Sequence, residues 1–204
     1  MSSNKKNGGY SNIVTILVSQ HKLQKKWLDR ALESLPKKLR VQVFFVGSGT
    51  LLVGENLPKY KFHNLVYCAY SHREFNGPKP IDGMKSGGLL DLGEMISQSQ
   101  YTISLPKTIL PIKPAGSRLK EIGVVLDPDS QLEIEGLRVA TGLAGCNHRV
   151  MLFFPVDGFP FIADGPQVPQ EAKPYLETLS SLGGRFSAPP VSYDDAECDI
   201  LISV

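Results

Sequence analysis

Cysteine is scarce in this 204-residue chain: Cys68, Cys146 and Cys198 are the three present, scattered and with no CxxC pair. That excludes a disulfide framework and leaves each sulfur to act as a single thiol. An excess of one charge sign is also missing. Lys and Arg number 22 against 20 Asp and Glu, a net charge of +2, so the electrostatic footprint expected of a nucleic-acid binder is weak. No apolar run approaches the roughly 18 residues needed to span a bilayer, and no apolar stretch follows the charges of MSSNKKNGGYSN. The expectation is a cytoplasmic chain with no membrane and no nucleic-acid partner. Nucleotide and hydrolase signatures fail too. Gly47-Ser48-Gly49 opens like a dinucleotide fingerprint, but Leu52 stands where the third glycine belongs, and there is no Walker-type loop or G-x-S-x-G elbow. GMKSGG, from Gly83 to Gly88, offers only loop amides that would face an anion at the next helix start.

What is present suits a compact chain: 42% hydrophobic and 21% charged residues suffice to bury a core. Residues 1–10, polar and Gly-rich without periodicity, read as a disordered tail. IVTILVS from Ile13 is a β-branched strand, and Leu23, Trp27, Leu28, Ala31, Leu32 and Leu35 then recur at helical spacing up to Pro36. VQVFFV (Val41 to Val46) and NLVYCA (Asn64 to Ala69) are further strands. LLDLGEMISQ predicts a short helix and YTISL another strand, with the Gly- and Pro-containing stretch before them read as loop. Strand and helix alternation of this kind implies a parallel sheet covered by helices.

Residue 122 restarts the pattern. A shift of 109 positions lays Ile13 on Ile122, Leu17 on Leu126, Leu23 on Leu132, Leu28 on Leu137 and Ala31 on Ala140 without a gap. The same shift lays Arg40-Val41 on Arg149-Val150, Phe44-Phe45 on Phe153-Phe154 and Gly49 on Gly158. A tandem duplication explains this economically, although two unrelated strand-helix-strand units also share an apolar pattern. The predicted organisation is a unit over 11–105, a Pro-rich basic linker over 106–120, and a second unit over 121–204. The second unit continues with a helix-like EAKPYLETLSSLGG, a short strand at Arg185 to Ala188 and a final strand in DILISV. Aligning the aromatic before the thiol sets Tyr67-Cys68-Ala69 on Phe186-Ser187-Ala188, which replaces the cysteine by Ser187.

The chain resembles the DsrE/DsrF-like family of small sulfur-relay proteins. The likeness lies in an opening strand, an Ala-containing helix, a strand ending in FF-x-x-x-G (VFFVGSG and LFFPVDG), and a later strand, VYCAYSHR, that delivers a cysteine. GLLDLGEMISQSQYTISL resembles the family's following helix and last strand. Ser48, where family members often carry Asp, and the missing second thiol are departures. The fold class so implied is α/β: two tandem DsrE-like units, each a mostly parallel sheet flanked by helices. The resemblance implies that Cys68 accepts sulfane sulfur as a persulfide, without a cofactor, between a donor and an acceptor protein. It also implies dimers or larger rings.

A sulfur carrier needs a thiolate, and a thiolate needs positive charge nearby. Cys68 sits at the predicted carboxyl end of a parallel strand, the edge where open α/β sheets place their sites, with His72 and Arg73 just downstream as the expected partners. The bland alternative is that Cys68 is a small buried hydrophobe in a non-catalytic oligomerisation or ligand-binding module. Cys146, which the repeat matches to Lys37, reads as incidental, and Cys198 as a resolving thiol only if the halves pack closely. Cys68 and His72 have the spacing of a metal pair on a helix, but a strand end and loop suit that poorly. His21, His63 and His148 lack ligand-spaced partners, so no metal is expected. Asp157 and Tyr193 are candidate rim residues contributed by the second unit.

Overall fold

The computed structural model describes residues 12–21, 24–54, 57, 60–105, 119–126, 130–154, 170–187 and 198–203. The expected tail, most of the linker, Asp157, Gly158, Ala188 and Tyr193 lie outside the described residues. In the first half, β1 (Ile13–Val18) leads through α1 (Gln24–Ser34) to β2 (Arg40–Phe45), and a 3-10 turn over Gly47–Leu52 follows. β3 (Asn64–Cys68) runs directly into the one-and-a-half-turn α2 (Ala69–Glu74), then come β4 (Lys85–Gly87), α3 (Leu89–Gln98) and β5 (Tyr101–Leu105). The second half contains β6 (Glu121–Val125), α4 (Ser130–Gly145), β7 (Arg149–Phe153), α5 (Lys173–Ser181), β8 (Arg185–Ser187) and β9 (Ile200–Ser203).

The architecture is α/β, with two parallel sheets flanked by helices. The first sheet has the order β4-β3-β2-β1-β5 and the second β8-β7-β6-β9, and every strand pair is parallel. The strand read as the last of the first half is β5, and it pairs with β1. Three elements were illegible in the sequence: α2, β4 and the 3-10 turn. Each is short, and the ladder with Val66, Tyr67 and Cys68, not a run of β-formers, makes Lys-Ser-Gly a strand.

Strand pairing corrects the gapless repeat. Val14 pairs with Val41 in the first sheet, and Ile122 with Val150 in the second. Val41 and Val150 are 109 positions apart, but Val14 and Ile122 are 108 apart, so the second half carries one extra residue between strand and helix. The pleat leaves no latitude, because a one-residue slip turns every side chain to the opposite face. Val14, Ile16 and Val18 face the α1 side with Leu28, Ala31 and Leu32, and Ile122, Val124 and Leu126 face α4 with Leu137 and Ala140. The thiol alignment is corrected in the same way. Val66 pairs with Phe44 and Ser187 with Phe153, so Ser187 stands level with Val66 and not with Cys68. The ladder position of Cys68 falls two residues beyond Ser187, outside the described residues.

The core explains how the halves join. One apolar cluster packs α1 on the first sheet. The other is continuous through both halves: Leu17, Phe44, Val66 and Cys68 of the first sheet meet Leu92, Met95 and Ile96 of α3. These in turn join α4 and the Ile122, Val150, Leu152, Phe154 and Ile202 face of the second sheet. At about 1.5–3 kcal/mol per large buried side chain, this shared layer holds the two sheets as one body. Under α3 the apolar face is interrupted by a satisfied polar knot. Gln42 Nε2 donates to Thr15 Oγ1 (2.8 Å) and to the Met95 carbonyl (3.0 Å), and Ser99 Oγ donates to the same carbonyl (2.8 Å).

His148 is a second polar link across the same layer. Its buried ring donates from Nε2 to the Gly93 carbonyl (3.2 Å), and Nδ1 accepts the Lys120 backbone N–H (3.2 Å), which is the neutral tautomer. Burial lowers the pKa of this ring from 6.5, opposed by the Gly93 bond and assisted by Lys120. The folded state therefore binds fewer protons than the unfolded chain once the latter titrates near 6.5. Stability should be full above that pH and fall as pH drops from there toward the lowered folded value. Urea unfolding at several pH values between 7.5 and about 5 checks this. In His148→Gln the slope should flatten, leaving only the weaker part expected from His63, which is exposed and lowered by burial, Arg40 and Lys85.

Candidate functional site

β3 ends at Cys68 because the chain turns there into α2, and this places the thiol at the carboxyl edge of a parallel sheet, as expected. The expected neighbours do not meet it. His72 lies against the Tyr67 ring (4.9 Å between centroids) and donates from Nε2 to the Pro78 carbonyl at 2.8 Å. Arg73 is 73% exposed and pairs with Glu74 (3.5 Å). Cys68 is itself extended (φ −71°, ψ 115°) and precedes the first helical residue, so the i, i+4 alignment of a helix face does not reach back from His72 to the thiol.

The cation at the thiol comes from the other half. Arg138 of α4 donates from Nη2 to Cys68 Sγ at 3.3 Å and to Ser71 Oγ at 2.9 Å. Its guanidinium grips Glu135, one turn earlier on the same helix, through Nε (2.8 Å) and Nη2 (2.6 Å). Glu135 also accepts the Ser71 hydroxyl (2.5 Å) and the Gly47 N–H (3.1 Å). Gly47 can reach it because its φ of +57° and its approach to the Ser19 carbonyl, 2.9 Å from where a Cβ would stand, both require glycine. Burial alone would lower Arg138, but hydrogen bonds and charge from Glu135, then Cys68, outweigh it and raise its pKa further. The guanidinium is permanently charged.

Tyr70 closes the outside of this group. Its ring lies over the Arg138 guanidinium at 4.6 Å and also stacks with Arg73 at 5.3 Å. Burial, then Tyr175 and Glu74, raise the Tyr70 pKa, so the ring presents a neutral π face to both cations. Cys68 is left 1% exposed. Chemically the group offers one sulfur, a fixed donor on it, and a carboxylate that balances the donor's charge.

The remaining sequence candidates are elsewhere. Cys146 ends α4 against α3, its Sγ 3.9 Å from the Leu89 carbonyl, and burial raises its pKa. Cys198 lies beside β6, near Gly123. Of the Gly83 to Gly88 amides, that of Gly88 donates to the Asp91 carboxylate at 2.7 Å, so the chain's own side chain takes the place an anion would have there. Among the described residues no group of three His, Cys, Asp or Glu stands together as metal ligands would. Also among them, no helix is long and apolar enough to cross a membrane. Glu135, Arg138, Ser71 and Tyr70 were missed by sequence reasoning. The available signal was an ionic i, i+3 pair inside the apolar run IEGLRVA. Comparison with protein-family models, with curated proteins and with solved structures finds no match to this chain.

Proposed function

We propose that the chain is a sulfur carrier that holds a persulfide on Cys68. It consists, in this reading, of two tandem DsrE-like units working in the cytoplasm as a homo-oligomer between a sulfur donor and an acceptor. The observation that carries the reading is the Arg138 Nη2 donor at 3.3 Å from Cys68 Sγ, at the carboxyl edge of a parallel strand. The shared strand order of the two sheets, β3-β2-β1-β5 against β8-β7-β6-β9, supports the duplication. In the loading step the Cys68 thiolate attacks the terminal sulfur of a donor R–S–SH. An Sγ–S bond forms, the donor S–S bond breaks, R–S⁻ leaves, and there is no net oxidation. Arg138 would hydrogen-bond the sulfur throughout. No cofactor enters this step.

A second reading, in which Cys68 is an inert part of a non-catalytic oligomerisation or ligand-binding module, is favoured by its burial. Peptide mass spectrometry after incubation with inorganic polysulfide separates the two. The carrier reading expects one added sulfur on the Cys68 peptide, lost on reducing treatment and absent in Cys68→Ser. A Cys68 peptide that stays unmodified while Cys146 reacts overturns it.

A further inference from the structure

We infer that the sulfur source for Cys68 is a small anionic sulfane species, such as inorganic polysulfide, and that Tyr70 is the residue that excludes larger donors. This rests on the carrier reading above. Sulfur transfer requires the donor sulfur to approach Sγ within bonding distance and in line with its own leaving group. Cys68 is 1% exposed, the side chain of Arg138 11% exposed, and the Tyr70 ring lies across the Arg138 guanidinium. The thiol cannot be met by a cysteine carried on another protein's surface, because the flanking backbone of such a donor would have to occupy the place of the ring. A two- or three-sulfur chain carries no flanking backbone and so asks far less movement of the ring. Arg73 on the outside and Arg138 on the inside both stack on Tyr70, so the ring that a donor must pass is held on both faces.

The step balances. The Cys68 thiolate attacks a sulfur of HS–S⁻, the Sγ–S bond forms as the polysulfide S–S bond breaks, and sulfide departs with the electron pair. The proton of the donor ends on the sulfide or the new persulfide.

Tyr70 is exposed on a short helix, 40% open to solvent, so its replacement leaves the core intact, and a thermal melt verifies this. The full chain, Tyr70→Ala and Tyr70→Phe are treated with inorganic polysulfide or glutathione persulfide, and in parallel with iodoacetamide or a polymer-linked maleimide. Modification is read at the Cys68 peptide, with the Cys146 peptide as an internal reference lying outside the gate. In the wild type and Tyr70→Phe, polysulfide and iodoacetamide should modify Cys68 readily and the two bulky reagents only slowly. In Tyr70→Ala the bulky reagents should react about tenfold faster, the scale of losing one cation–π lid contact, with a smaller gain for the small reagents. Equal rates for glutathione persulfide and polysulfide on the wild type would overturn the size gate and leave the carrier reading standing. Iodoacetamide reaction without any persulfide in Tyr70→Ala would overturn the carrier reading itself, and the sulfur source with it.

Discussion

Arg138→Met should destabilise the chain by about 3–5 kcal/mol, the scale of removing one partner from a buried ion pair. Glu135 would then keep a carboxylate that is 5% exposed with its counter-charge gone. The Gly47 N–H and Ser71 hydroxyl remain on the carboxylate, but two neutral donors do not replace a two-point guanidinium contact. Glu135→Leu should cost a comparable amount from the other side, since it strands the guanidinium together with the Gly47 N–H. The double variant should cost clearly less than the sum, because two apolar side chains fill the site without an unpaired charge. Urea unfolding of the four proteins measures this coupling. Additive losses would show that the pair is solvated and that its hold on Cys68 is loose. The same Arg138→Met protein also lacks the donor on Sγ, so its Cys68 labelling should fall even where the protein remains folded.

Gly142→Val should be the next most damaging change, at about 3 kcal/mol, the upper part of the overpacking range. Gly142 of α4 faces Leu89 of α3, and a Cβ there would stand 2.5 Å from both Leu89 Cβ and Cδ1. Leu89 Cβ is fixed to the backbone of α3, so rotating its side chain gives no relief and the helices must separate. Gly142→Ala is the sharper case. Within a helix that change normally gains about 1 kcal/mol from propensity alone. Here the sign should reverse. On the other side of the same contact Cys146 Sγ would stand 2.3 Å from a Cβ at Gly93, so separating the helices opens the neighbourhood of Cys146. Thermal melting gives the stability change, and faster alkylation of Cys146 reports the separation. A Gly142→Ala protein that melted higher than the wild type would show that α3 and α4 do not pack this closely in solution.

The site was half legible in the sequence. Cys68 was found because strand period and order place it at a sheet edge, which is local information. The partners that the sequence offers it, His72 and Arg73, are neighbours along the chain and not in space. The cation that touches it is 70 positions distant. The repeat gave no help, because the shift that lays α4 on α1 sets Glu135 and Arg138 against Lys26 and Asp29, with the charges reversed.

For the fold, the alternation of apolar strands and amphipathic helices determined the α/β class, the main strands and the position of each long helix, since each depends on burial within a few residues. The pairing of those strands was a different matter. The one-residue insertion between β6 and α4 and the level of Ser187 with Val66 were decided by ladder register, because matching letters score alike on either face of a pleat while packing does not. Only the tertiary structure brought α4 against both sheets' shared core and so set Arg138, Glu135 and Tyr70 around one thiol. An apolar face specifies that it must be covered, and the complementarity of Gly142 with Leu89 and of Gly93 with Cys146 decides what covers it.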